Sequence, residues 1–144
     1  MSSNQIASIT SIQLCLGHGE PMCVVEKAYA IADFGLEGNS HSRHGSRRQI
    51  LLVDEESIEV LRLSSGELRE NITTSGLDVP SLLKGQKLRL GDDVVIEITG
   101  YCDPCHLLDE IRDGLQEEVD GIRGMLAIVI KEGEVKVGHL IQVL

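Results

Sequence analysis

Two stretches of the chain alternate apolar and polar residues with a period of two, and this pattern restricts the fold more than any other feature. In KLRLGDDVVIEITG (87–100), Leu88 and Leu90 alternate, Gly91-Asp92 turns the chain, and Val94, Ile96 and Ile98 resume on one face. MLAIVIKEGEVKVGHLIQVL (125–144) reads as a strand, a Glu-Gly turn, and further strands carrying Val135, Val137, Ile141 and Val143. RQILLVD (48–54) is a short, wholly apolar strand, and IASITSIQLC (6–15) and VVEKAYAIAD (24–33) are less regular ones. Helical signals are few. DEESIEVLRLSSG (54–66) offers Asp54 as a cap and puts Ile58 and Leu61 on one face, and PSLLKG (80–85) predicts a single turn. Strands do not alternate regularly with helices, so the expected fold is mainly β. It is a closed or partly closed β-barrel with a few short helices, spanning 1–144 as a single domain.

The core of such a barrel must be built from Ile, Leu and Val, because Tyr29, Phe34 and Tyr101 are the only aromatic residues. A net charge of −10 repels phosphate backbones, and stacking platforms are scarce, so nucleic acid is not an expected partner. HSRHGSRR (41–48) breaks the acidic trend with three arginines, two histidines and no acid. It is either a solvated loop or a local anion site for a small phosphorylated ligand. MSSNQIASITSI lacks the charged start and apolar run of a signal peptide, and the longest apolar run, MLAIVI (125–130), is too short to span a bilayer. A cytoplasmic protein with free thiols and no membrane partner is expected.

GYCDPCHLLDEI (100–111) places Cys102 and Cys105 three apart. Asp103 can cap a helix and Pro104 fits its first position. Leu107, Leu108, Ile111 and Leu115 follow at helical spacing. On that reading Cys105 lies in the first turn, where unpaired N–H groups and the helix dipole favour its thiolate. A zinc site would recruit Cys102, Cys105 and one or both of His41 and His44, although no second Cys-x-x-Cys is present. A redox dithiol or two incidental cysteines are the other readings. Cys15 and Cys23 read as core or surface thiols, and His18 and His139 as surface histidines without partners.

Taken in order, the motifs resemble the MOSC domain, the module at the C-terminus of molybdenum-cofactor sulfurases that also occurs as stand-alone bacterial proteins. The resemblance rests on GLEGNSH (35–41), RRQILLVDEES (47–57), SGELRENITTSGLDV (65–79), KGQKLRLGDDVVIEITGYCDPC (84–105) and IRGMLAIVIKEGEVKVGHLIQVL (122–144). It implies a β-barrel-like domain and a role tied to molybdenum cofactor (molybdopterin). Cys105 corresponds to the family's signature cysteine. The resemblance implies that this thiol carries sulfur from a pyridoxal-phosphate cysteine desulfurase, or ligates the molybdenum itself, a soft centre that suits thiolate. Molybdenum-cofactor enzymes are the other expected partners. Arg43, Arg47, Arg48 and Arg69 become candidate anchors for the cofactor's phosphate, with His41 beside them. Asn71 either hydrogen-bonds the pterin or pins a turn. Asn39 and His139 stand where the family pattern has Asp. Two alternatives follow: a non-catalytic module with structural zinc, or a cofactor-dependent reductase of N-hydroxylated compounds.

Overall fold

The computed structural model describes residues 6–17, 19–103 and 106–144, with the backbone alone at 106–107. Eight strands form the larger sheet. In chain order these are β1 (Ser8–Leu14), β2 (Cys23–Val25), β5 (Ile50–Asp54), β6 (Ile72–Ser75), β7 (Lys87–Leu90), β8 (Val94–Tyr101), β9 (Met125–Lys131) and β11 (Ile141–Val143). A smaller sheet holds β3 (Lys27–Ile31), β4 (Gly35–Leu36) and β10 (Gly133–Lys136). The larger sheet runs β11-β7-β8-β9-β5-β6-β1-β2. Its neighbours are antiparallel except β5 and β6, which are parallel and joined through the helix α1 (Glu55–Val60).

The sheet curls until its two ends meet. Ile9 N–H donates to His139 O (2.9 Å), Gly138 N–H to Ile9 O (2.8 Å) and Ile141 N–H to Ala7 O (2.9 Å). These bonds occupy part of two strand edges that would otherwise be open templates for pairing. The result is a mainly β, partly closed barrel, as the alternating pattern implied.

The predicted β7–β8 hairpin is present, with Leu88 opposite Ile96 and Leu90 opposite Val94, all four buried. Asp54 caps α1 by accepting from Ser57 N–H at 3.1 Å, and Ile58 and Leu61 are both buried. Val79–Ser81 forms the expected single turn as a 310 helix. The apolar run 50–53 of β5 has a structural reason: both of its faces are covered. Ile50 and Leu52 point into the main barrel core, whereas Leu51 and Val53 join a second apolar cluster with Ile58, Leu61, Leu68, Cys102 and Leu126.

Three readings need correction. The Glu-Gly turn after β9 does not close a hairpin: β10 leaves to pair with β3 (Val135 opposite Ala28), and β11 pairs with β7. Alternation fixes which face a residue buries, not which strand it pairs with. The continuous helix expected after Pro104 is instead a 310 turn at His106–Glu110 and a short α2 (Leu115–Glu118). Gly114, at φ 82°, turns the chain between them, and Ile111 is left exposed. His139 has partners: its Nδ1 accepts from Lys136 N–H at 3.2 Å, and the ring lies against Gly91. His18 lies outside the described residues.

A thiol and arginine cleft

The second apolar cluster forms one wall of a cleft of about 990 Å3. Leu51, Cys102, Leu108 and Leu126 line its apolar side, and His41, Arg43, Arg48, Arg69, Asn71, Cys15 and Arg123 supply its polar side. Five expected site residues, His41, Arg43, Arg48, Arg69 and Asn71, therefore share one space. Arg47 does not line the cleft; its carbonyl accepts from Thr99 Oγ1 at 2.6 Å. Pro104 and Cys105 lie outside the described residues, between Cys102 and Leu108 in the chain.

The basic loop at 41–48 is tied down at both ends. Gly45 N–H and Gln49 Nε2 both donate to Asp33 Oδ1, at 3.3 and 3.2 Å, and Val129 N–H donates to Gln49 Oε1 at 2.9 Å. Arg43 N–H donates to Phe34 O at 3.0 Å. His44 turns towards Phe34, with ring centroids 4.8 Å apart, and is not a cleft residue, whereas His41 is. The two histidines of the zinc reading are thus separated. Among the described residues no three His, Cys, Asp or Glu side chains gather as a metal site.

Beneath the cleft lies a polar network. Asn71 Oδ1 accepts from Leu51 N–H (3.0 Å), and its Nδ2 donates to Gln13 O and Asn39 Oδ1 (both 3.2 Å). Asn71 thereby ties β5, β1 and the turn after β4 together. Asn39 Oδ1 also accepts from Cys15 N–H at 2.8 Å. This position needs an acceptor oxygen rather than a charge, and neutral Asn supplies it without the cost of a buried carboxylate. Glu70 is fully buried: Oε2 accepts from Gly66 N–H (2.8 Å) and Thr73 Oγ1 (3.0 Å), whereas Oε1 has no partner. Burial raises the Glu70 carboxyl above its ordinary pKa. The hydrogen bonds from Gly66, its own backbone and Thr73, with the charge of Arg123, offset this only in part.

Two cleft residues escaped the sequence reading. Cys15 is not an incidental thiol. Arg69 Nη2 lies 3.0 Å from its Sγ, and Arg69 Nη1 donates to Glu20 O at 2.8 Å. Burial alone would raise the Cys15 pKa; hydrogen bonds with Ser40, Arg69 and the Gly17 backbone, and the Arg69 charge, bring it below the ordinary thiol value. Arg69 holds this position from a left-handed backbone (φ 63°), which costs a non-glycine residue about 1–2 kcal/mol. Arg123 is the second. It is 8% exposed, yet its Nε and Nη1 have no hydrogen-bond partner among the described residues. Its place depends on Gly124 (φ 123°), where a Cβ would lie 2.5 Å from Leu52 O. The available signals were slight: a charged residue heading an apolar strand, and a cysteine at a strand end.

The cleft's arginines run from exposed Arg43 and Arg48, through half-buried Arg69, to buried Arg123. In a chain of net charge −10 this is a local cationic funnel. Unpaired guanidinium donors and an apolar wall fit an anionic ligand with a flat body.

Comparisons with known proteins identify the family and agree with the fold. Residues 39–142 match the MOSC domain family. The fold is similar to that of YuaD from Bacillus subtilis (TM-score 0.83, 20% identity, covering 96% of this chain and 95% of that one). It is also similar to YiiM from Geobacillus stearothermophilus (TM-score 0.78, 16% identity, 96% and 75% covered) and YiiM from Escherichia coli (0.72, 19%, 95% and 69%). No curated protein matches. No helix among the described residues is long and apolar enough to cross a membrane.

Proposed function

From the premise that the chain belongs to the MOSC domain family, we propose that it handles molybdenum cofactor in this cleft, binding it or carrying sulfur for it on Cys105. The observation that carries the reading is the graded set of cleft arginines ending at a buried guanidinium with unpaired donors. A pterin cofactor brings a phosphate for Arg fork geometry and a flat ring system for the apolar wall. Arg43 and Arg48 would draw the anion in, and Arg69 and Arg123 would hold it. The bound group would supply metal-centred redox and atom-transfer chemistry. The chain's own residues orient the ligand and exclude water from it. Leu51, Leu108 and Leu126 cover one side of the cleft, and the Asn39–Asn71 pair fixes the backbone from which Cys15 projects. The cytoplasm is the proposed compartment.

Cys105 would present the working thiol, as ligand or as persulfide carrier, with a pyridoxal-phosphate cysteine desulfurase as donor class and molybdenum-cofactor enzymes as acceptors. Protein purified from cofactor-producing cells should contain molybdenum and pterin, and Cys105→Ser should lose the metal while keeping the far-UV circular dichroism of the folded wild type. Equal molybdenum, pterin and persulfide loading in Cys105→Ser and wild type contradicts the reading. Turnover of an N-hydroxylated substrate with an external reductant separates a reductase from a carrier.

A further inference from the structure

The proposed function leaves the Cys15 thiol of the cleft without a role. Cys15 faces the same space, with Arg69 Nη2 against its sulfur. Arg123 lines that space too, 8% exposed, with Nε and Nη1 unpartnered among the described residues. A thiolate held by one guanidinium has no need of a second. Unpaired buried N–H groups are costly to keep, so their persistence points to an absent acceptor. The neighbouring carboxylate does not fill the role, because Glu70 Oε1 is itself unpartnered. The ligand these features describe has an oxyanion end for Arg123 and a soft, electrophilic atom for Cys15.

We propose that the cleft is a sulfane-sulfur acceptor site, in which Cys15 takes the outer sulfur of a small anionic donor of the thiosulfate class while Arg123 holds the donor's oxyanion end. The Cys15 thiolate attacks the sulfane sulfur. The donor's S–S bond breaks and its electron pair leaves with sulfite; a new S–S bond makes Cys15 a persulfide. One S–S bond is lost and one formed, so no outside oxidant or reductant enters, and sulfite departs as the oxyanion Arg123 had held. A nucleophilic acceptor such as cyanide would remove the sulfur as thiocyanate and restore the thiolate. Burial protects the persulfide, since Cys15 is only 2% exposed. The step does not involve Cys105; it shares Arg123 with the proposed cofactor phosphate, so donor and cofactor would exclude each other from the cleft.

The test uses the full chain with thiosulfate, reading released sulfite and, by peptide mass spectrometry, one added sulfur atom. The expected result is loading on Cys15, absent in Cys15→Ser and intact in Cys102→Ser and Cys105→Ser. Arg123→Met should raise the thiosulfate concentration that gives half the maximal loading rate about 10- to 100-fold, the loss of a charged hydrogen bond. Far-UV circular dichroism and melting temperature should show the variant folded. Because loading is located in the wild type, the result stands even if Cys15→Ser fails to fold. Sulfur found only on Cys105 overturns this inference while supporting the carrier reading. No loading, or the same concentration dependence of the loading rate in Arg123→Met and wild type, overturns it as well.

Discussion

β5 and β9 present different interiors on their two faces. On one face Ile50, Leu52, Met125, Ala127 and Val129 join the barrel core, an assembly of aliphatic side chains. On the other, Leu51 and Leu126 end at a cleft walled by arginines, thiols and a buried polar network. The first face is saturated: Leu52, Ala127, Ile96 and Ile98 are all fully buried and have nothing left to satisfy. The second leaves atoms of Glu70 and Arg123 buried without partners among the described residues; the other such atom, Thr74 Oγ1, belongs to the neighbouring strand β6. One pair of strands thus carries stability on one side and unmet bonding capacity on the other. Such capacity is where ligand chemistry is to be sought.

Substitutions can break this contrast. The largest effect belongs to the barrel face: Leu52→Ala should cost about 2–5 kcal/mol in denaturant unfolding, with cleft thiol reactivity unchanged in the folded protein. Asn71→Ala comes next. It strands the Leu51 N–H and removes donors from Gln13 O and Asn39 Oδ1. A loss of about 2–4 kcal/mol is expected from these exposed debts of hydrogen bonding, together with altered Cys15 alkylation, because Asn39 also fixes the Cys15 backbone. An unchanged Cys15 rate would show that the network and the thiol are uncoupled.

The smallest effect is a slope against pH. Burial raises the folded-state pKa of Glu70 above its ordinary 4.5, so the native state holds this proton more tightly than the unfolded chain. The stability this adds is full below about pH 4.5 and is lost as pH rises through the folded value. Glu70→Gln should therefore flatten the fall in stability over that range. Asp54, also raised mainly by burial, acts with the same sign and keeps a residual slope in the variant. An identical pH profile in variant and wild type would remove Glu70 as its source.

The barrel face was legible in the sequence because alternation is a local signal. Leu88, Leu90, Val94, Ile96 and Ile98 declare their common face within eleven residues, and the structure buries all five. Pairing was less legible, as β10 shows: the choice of β3 over β9 is made by the closing barrel, far from Gly133 in sequence. The cleft was half legible. Its rim arginines stand in one dense basic run, but the Arg69–Cys15 contact joins residues 54 apart, and nothing local marks either as the other's partner. The unpaired state of Arg123 is visible only once Gly124 brings the start of β9 against Leu52 O. The helix after Pro104 failed for a similar reason. Leu108 and Leu115 bury in one cluster through separate short elements rather than one continuous stripe.

That the cleft face is built around an absent anion is tested most directly by melting temperature in inorganic phosphate against sodium chloride of equal ionic strength. Phosphate raises stability generally through exclusion from protein surfaces, so the decisive quantity is the difference between variants. Wild type and Leu52→Ala should share an additional upward shift that Arg123→Met lacks. Equal shifts in all three proteins would contradict the account.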